Sequence, residues 1–84
     1  MEYQVKFTPF FENQLKKLKR KDKPLFQRLI KKIKELKQHP EHYKLLRNVL
    51  KGTRRAHLGP FVIIFEMTGD LITVHYVKHH DKAY

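Results

Sequence analysis

Two short stretches of this chain carry side chains that could cleave a phosphodiester bond. One is Arg54-Arg55-Ala56-His57, and the other is the closing run His79-His80-Asp81-Lys82-Ala83-Tyr84. One imidazole can take a proton from a 2′-hydroxyl, another group can return a proton to the leaving oxygen, and an arginine can hold the phosphate. Histidine ordinarily titrates near pH ~6.5, so both of its protonation states are available in a cell. Groups of these kinds can cleave RNA without a metal.

The size and charge of the chain limit the functions it could have. Its 84 residues predict one domain, 1–84, near the lower size limit for a self-sufficient core. The net charge of +11 arises from 19 basic and 8 acidic residues. An excess this large predicts a polyanionic partner, which could be nucleic acid, a strongly acidic protein or, least favoured, an anionic membrane surface.

Several classes of site and location are disfavoured by composition. The chain has no cysteine, so it has no disulfide framework and no thiolate zinc site. Its histidines lack the helical spacing of a metal site, and we expect neither a metal nor a cofactor. It has no long apolar run and no signal peptide, so we expect a cytoplasmic protein that does not span a membrane.

The elements that position the candidate residues begin with a strand and two helices. Residues 3–7 alternate between apolar and polar side chains, which predicts a short strand. Thr8-Pro9 is a typical helix start, and a second helix should begin at Asp22 or Lys23 and end at His39-Pro40. Each helix carries a single apolar stripe, so the two should form a hairpin that packs on a sheet.

The second half of the chain reads as three strands. Residues 41–53 are mixed and predict a loop or short strand, and strands follow at about 53–58, 61–67 and 70–79. The turns Gly59-Pro60 and Thr68-Gly69-Asp70 are short, so these strands should be antiparallel neighbours, with 61–67 central. We predict an α+β fold of order β-α-α-β-β-β, with the helical hairpin on one face of a small, mostly antiparallel sheet.

Strand alternation predicts which candidate residues share a face. If Ala56 and Leu58 face the helices, Arg55 and His57 face outward. Strict alternation in the last strand puts Ile72, Val74, Tyr76, Lys78 and His80 on one face and Leu71, Thr73, His75, Val77 and His79 on the other. Only one residue of the adjacent His79-His80 pair should therefore enter a site shared with His57.

Each candidate also has a purely structural interpretation. His57 could be a polar residue on a solvated strand face, and Arg54-Arg55 could be two of many surface charges. His79-His80 could simply end a strand, and Tyr84 could cap the core or fray as the last residue. The histidines and arginines therefore favour a site as a set, and no one of them does so alone.

With these residues in place, the chain resembles the RelE/ParE superfamily of toxins from type II toxin–antitoxin systems. The resemblance spans nearly the whole chain. It includes the strand and helix order, an opening like Tyr3-x-Val5-x-Phe7-Thr8, Leu50-Lys51-Gly52 before the second strand, the hairpin Gly59-x-x-x-Ile63-Ile64-Phe65, and His80 followed by Tyr84. The histidine pattern is most similar to the YafQ branch, which the run Lys51–His57 and Pro60 match.

The resemblance implies a ribosome-dependent mRNA endoribonuclease that inhibits translation by cutting mRNA in the ribosomal A site. His57 and His80 would be general base and general acid in an unassigned order, Arg55 would stabilise charge on the phosphorus, and Tyr84 would stack on a base or bind the phosphate. Where RelE has an essential arginine, this chain has Val62. We expect the neighbouring basic residues to bind RNA: Lys51, Arg54, Lys78 and Lys82.

The superfamily also implies a partner and leaves two other functions open. A small RelB-like antitoxin, acidic where it wraps the toxin, should cover the basic surface. ParE-like members are not nucleases and act on a protein target, DNA gyrase, although the histidines of this chain argue against that function. A third interpretation is a basic RNA-binding module without catalysis.

Overall fold

The structure of the protein is a computed structural model, which describes residues 3–40 and 53–80. Within these ranges the predicted β-α-α-β-β-β order is confirmed. The elements are β1 (Gln4–Phe7), α1 (Pro9–Lys21), α2 (Lys23–Gln38), β2 (Thr53–Leu58), β3 (Phe61–Thr68) and β4 (Leu71–His79). Except at Thr53, which begins β2, the mixed segment that follows Pro40 lies outside the described residues.

Both helices begin where local sequence chemistry predicts. The side-chain oxygen of Thr8 accepts a hydrogen bond of 3.2 Å from the Phe11 amide, and that of Asp22 accepts one of 3.2 Å from the Leu25 amide. Each bond satisfies a backbone donor that has no partner within the helix, and a proline in the first turn fixes the backbone there. Asp22 is also the C-cap of α1, so this one residue separates the two helices.

The core lies between the helical hairpin and one face of the sheet. Each helix buries one apolar stripe and leaves most of its lysines exposed. Side chains that are wholly buried come from both layers and form one cluster, which includes Phe11, Leu29, Leu36, Ile63, Phe65, Ile72 and Val74. Among the described residues, no helix is long and apolar enough to cross a membrane.

The four strands form a mixed sheet in the order β1-β4-β3-β2. β4 pairs antiparallel with β3, which pairs antiparallel with β2, and β1 runs parallel to β4 at the edge. Gly59 and Gly69, in the two tight turns, have φ values of 58° and 62°. Only glycine adopts this left-handed conformation readily, so both hairpins depend on these residues. The prediction that β3 is interior is confirmed.

The prediction of strict alternation along β4 was wrong. Ile64 pairs with Tyr76, but the next residue, Phe65, pairs with Val74, so His75 is an extra residue in β4. A bulge of this kind shifts the alternation by one residue. Buried positions in β4 therefore change from even to odd numbers, and Val77 joins Val74 in the helix-side core.

A glutamine from α1 replaces a missing strand at the edge of β4. β1 ends at Phe7, opposite Val74, and within residues 3–40 and 53–80 no strand lies beside the next part of this edge. The Gln14 side-chain nitrogen donates to the Val77 carbonyl at 2.8 Å, and its oxygen accepts from the Val77 amide at 2.9 Å. One side chain thus makes both bonds that a neighbouring strand would make, which closes an otherwise open edge.

Candidate functional site

The sheet face that points away from the helices carries several of the predicted site residues. Residues directly opposite each other on neighbouring strands share a face. His57 lies opposite Val62, which lies opposite Lys78, and we call these three the histidine row. The next row along the strands is Arg55, Ile64 and Tyr76, which we call the arginine row. Arg55 and His57 are both exposed, so their side chains are open to a ligand.

The centres of these two rows form an apolar floor. Val62 and Ile64 are only 3% and 2% exposed, yet neither belongs to the cluster between the sheet and the helices. Their side chains lie on the outward face, between the polar side chains of β2 and β4. Charged and aromatic groups at the two sides of this floor therefore pack beside buried apolar side chains.

The two predicted catalytic histidines lie close together at one end of the outward face. The ring centroids of His57 and His80 are 5.8 Å apart, and the ring planes are inclined by 45°. The His80 amide donates a hydrogen bond to the Pro60 carbonyl. Because Gly59-Pro60 follows directly after β2, this bond attaches the end of β4 to the turn beside His57.

The neighbouring histidine belongs to the opposite side of the sheet. The His79 ring meets Phe61 edge-on, with centroids 5.4 Å apart. His79 also lines a cavity beside α1, together with Gln14 and Leu18. Of the two adjacent histidines, His80 is the one that lies against His57.

Comparison with known proteins places the chain in a family. Residues 5–84 match the family model described as ParE toxin of type II toxin-antitoxin system, parDE. The chain is 35% identical to "Putative toxin RelE4" of Methanocaldococcus jannaschii over 85 aligned positions, covering 98% of this chain and 90% of the relative. The chain belongs to the RelE/ParE superfamily of type II toxin–antitoxin toxins.

Solved structures show the same fold at lower identity. The toxin–antitoxin complex RelBE2 of Mycobacterium tuberculosis contains a chain with a TM-score of 0.82 and 23% identity, covering 94% of this chain and 99% of that one. The archaeal RelE-RelB complex of Pyrococcus horikoshii gives a TM-score of 0.75 and 22% identity, covering 99% and 100%. The names RelE and ParE thus both occur among the matches, and the function within the superfamily depends on the site.

The remaining basic candidates divide between the two faces. Lys78 lies in the histidine row, whereas Arg54 lies opposite Phe65 and therefore on the helix side. Its Nε atom is buried there. The structure does not bring Arg54 to the histidine pair. Lys51, Lys82 and Tyr84 lie outside the described residues.

Two arrangements near the site had no signal in the sequence. Arg28 of α2 lies against the β2–β3 turn, where its Nη2 atom would be 3.2 Å from a Cβ atom at Gly59. On the outward face, a carboxylate oxygen of Glu66 accepts a 2.9 Å hydrogen bond from Nε2 of His75. Helical periodicity assigns Arg28 only to the exposed side of α2, and the contact between His75 and Glu66 depends on the register between β3 and β4, which no local residue type specifies.

Metal ligands do not gather in the part of the chain that the structure describes. Residues 3–40 and 53–80 contain no group of three or more histidine, cysteine, aspartate or glutamate side chains that could hold an ion. His57 and His80 are two imidazoles at exposed positions of the outward face. Two imidazoles this close together can act on one phosphodiester, with one accepting a proton and the other donating a proton.

Proposed function

We propose that this superfamily member is a ribosome-dependent, metal-independent mRNA endoribonuclease of a toxin–antitoxin system. The observation that carries the proposal is the 5.8 Å separation of the His57 and His80 rings on an exposed sheet face. His57 comes from β2 and His80 directly follows β4, and the bond between His80 and Pro60 joins the two segments. ParE-like function requires no such pair of imidazoles, so this geometry favours the nuclease.

The reaction is a transesterification within the RNA. One histidine accepts the proton of a 2′-hydroxyl, whose oxygen attacks the adjacent phosphorus and forms a new O–P bond. The bond from phosphorus to the 5′-oxygen breaks, and the other histidine donates a proton to that leaving oxygen. The products are a 5′-hydroxyl end and a cyclic phosphate, which water can open to a 3′-phosphate.

The basic residues near the histidines provide the electrostatic part of the mechanism. Arg55 is exposed on the row next to the histidines, and Lys78 lies in their own row. A guanidinium or ammonium held there stabilises the extra negative charge that develops on the phosphorane oxygens. The resemblance adds Tyr84, which stacks on a base or binds the phosphate.

The proposed partners are the ribosome, mRNA in its A site, and a RelB-like antitoxin. Two of the structurally similar chains were solved as complexes with antitoxins. The net charge of +11 suits an acidic antitoxin as well as ribosomal RNA. An antitoxin that covers the outward sheet face would block access to the histidine pair.

Primer extension on a translated mRNA tests this function. Purified ribosomes are programmed with the message, and wild-type protein is compared with the variant carrying both His57→Ala and His80→Ala. We expect cuts at codon positions only with ribosomes and only with the histidines present. Absence of cuts by folded wild-type protein would overturn the nuclease proposal, and inhibition of gyrase supercoiling by the same sample would assign the ParE-like function instead.

A further inference from the structure

We propose that Phe10 and Tyr76 form a stacking site for a nucleobase of the RNA, next to the histidine pair. The inference rests on the proposed function and adds a substrate-binding contact to it. Phe10 is 62% exposed, and within residues 3–40 and 53–80 it is the one large hydrophobic residue in the exposed class. A phenylalanine this exposed at the first turn of α1 contributes little to the core, and its ring is accessible to a ligand.

The position of Phe10 links it to the outward face of the sheet. Its ring meets the Tyr76 ring edge-on, with centroids 6.5 Å apart and planes inclined by 88°. Tyr76 is part of the arginine row, so Phe10 extends that row beyond the edge where β1 has ended. An edge-to-face pair leaves ring surface open to a third aromatic group, such as a base.

The distance to the catalytic pair fits nearby nucleotides of one RNA strand. Tyr76 and Lys78 are two residues apart on β4, after the bulge, which corresponds to roughly 6.6 Å along the strand. His80 follows at the next such interval. A single RNA strand that runs along β4 would thus place a phosphate at the histidines and a nearby base over Tyr76 and Phe10.

Charge on this face favours RNA over a protein as the occupant. Lys6, Arg55 and Lys78 are all on the outward side of the sheet, on three different strands. Glu66, which lies in the row of Lys6, is paired with His75. Aromatic rings set among cations are typical of surfaces that bind single-stranded nucleic acids, because every base has a face that can stack.

Fluorescence of a modified RNA tests the stacking directly. The probe is a short single-stranded RNA, fully 2′-O-methylated so that it cannot be cleaved, with 2-aminopurine at one position. Stacking quenches 2-aminopurine, and the position of the label is varied along the strand. We expect wild-type protein to quench strongly at one position and weakly at the others, in low-salt buffer.

Substitutions of Phe10 distinguish the effect of its aromatic ring from that of its hydrophobic volume. Phe10→Leu should abolish the quenching and weaken binding by about tenfold or more, the usual loss for one stacked base. Phe10→Trp and Phe10→Tyr keep an aromatic face and should keep the quenching. Asn13→Ala, at an exposed position of the same helix, is the matched control and should behave like wild type. Thermal melting of each variant verifies that it is folded.

The outcomes distinguish this inference from the proposed function. If wild type quenches the probe but primer extension shows no cuts, the stacking site stands and the nuclease fails. If cuts occur but wild type quenches no position, or Phe10→Leu quenches as well as wild type, the stacking site is overturned. A variant that binds RNA normally but escapes neutralisation by its antitoxin would make the pair a protein interface, which also overturns the proposal.

Discussion

The two faces of the sheet share the same strands but have opposite properties. On the helix side, Phe65 and Val74 are wholly buried and belong to one continuous core. On the outward side, Arg55 and His57 are exposed, and apolar burial is limited to the floor made by Val62 and Ile64. Alternate residues of one strand therefore lie in different environments. Substitutions on the helix side and on the outward side should have separable effects on stability and on activity.

This separation shows how a chain of 84 residues could accommodate the proposed catalytic site. A domain this small has a thin core, so polar groups inside it would be costly. Placing the histidines on the outward face avoids that cost, because their polar atoms stay accessible to water. Stability should therefore depend mainly on the helix side, and chemistry on the outward side.

The largest effect on activity is expected from substituting a histidine of the outward face. His80→Ala should lower the rate of mRNA cleavage by about 10²–10⁴-fold, because it removes one of two proton-transfer groups. Its unfolding free energy should change by less than about 0.5 kcal/mol, as is usual for an exposed position. Ribosome-programmed cleavage and chemical denaturation measure the two quantities.

His79→Ala is the matched control for this prediction. The substitution is the same and the position is adjacent, but His79 packs on Phe61 on the other side of the sheet. It should leave cleavage within a few-fold of wild type. If His79→Ala lost as much activity as His80→Ala, the assignment of the two histidines to different faces would be wrong.

Substituting a core residue on the helix side should mainly lower stability. Phe65→Ala should lower the unfolding free energy by about 3–5 kcal/mol, because it leaves a cavity in a wholly buried position. Phe10→Ala removes the same side chain from an exposed position and should cost far less. Denaturant titration of both variants makes the comparison, and equal losses would contradict the placement of the core.

Much of the helix side could be predicted from the sequence because its signals are local. The caps at Thr8 and Asp22, the stripes of the helices and the turn at Gly59 each depend on neighbouring residues alone. Their bounds agree with the structure to within about a residue, the usual uncertainty of helix and strand ends. The composition of β3, apolar without alternation, likewise predicted an interior strand.

The outward face was harder to predict because its geometry depends on pairing between strands. The bulge at His75 arises from a mismatch between β3 and β4, and no local residue type marks it. Because of the bulge, the helix-side residues are even-numbered before His75 and odd-numbered after it. A single alternating pattern therefore could not assign every residue of β4 to the correct face. Likewise, His80 reaches His57 through the Pro60 carbonyl, a contact made by the folded sheet and not by spacing.

A smaller effect is expected where a helix side chain completes the sheet. Gln14→Ala would leave the amide and carbonyl of Val77 without their partners, which should cost about 1–3 kcal/mol. Gln27→Ala, at an exposed position of α2, is the matched control and should change stability little. Denaturation measures both, and hydrogen exchange at the Val77 amide should speed up only in Gln14→Ala. Unchanged exchange there would show that the glutamine does not protect the edge.

The smallest effect should come from the hydrogen bond between His75 and Glu66 on the outward face. Glu66 and His75 are 2.9 Å apart, but their side chains remain 41% and 33% exposed. Pairs this accessible to water contribute about 0–1 kcal/mol, and Glu66→Gln still offers His75 an oxygen that accepts a hydrogen bond. Denaturation of Glu66→Gln should therefore give a change below about 1 kcal/mol. A loss as large as that of Gln14→Ala would mean that the outward face also stabilises the fold, and that stability and chemistry are not separated by the sheet.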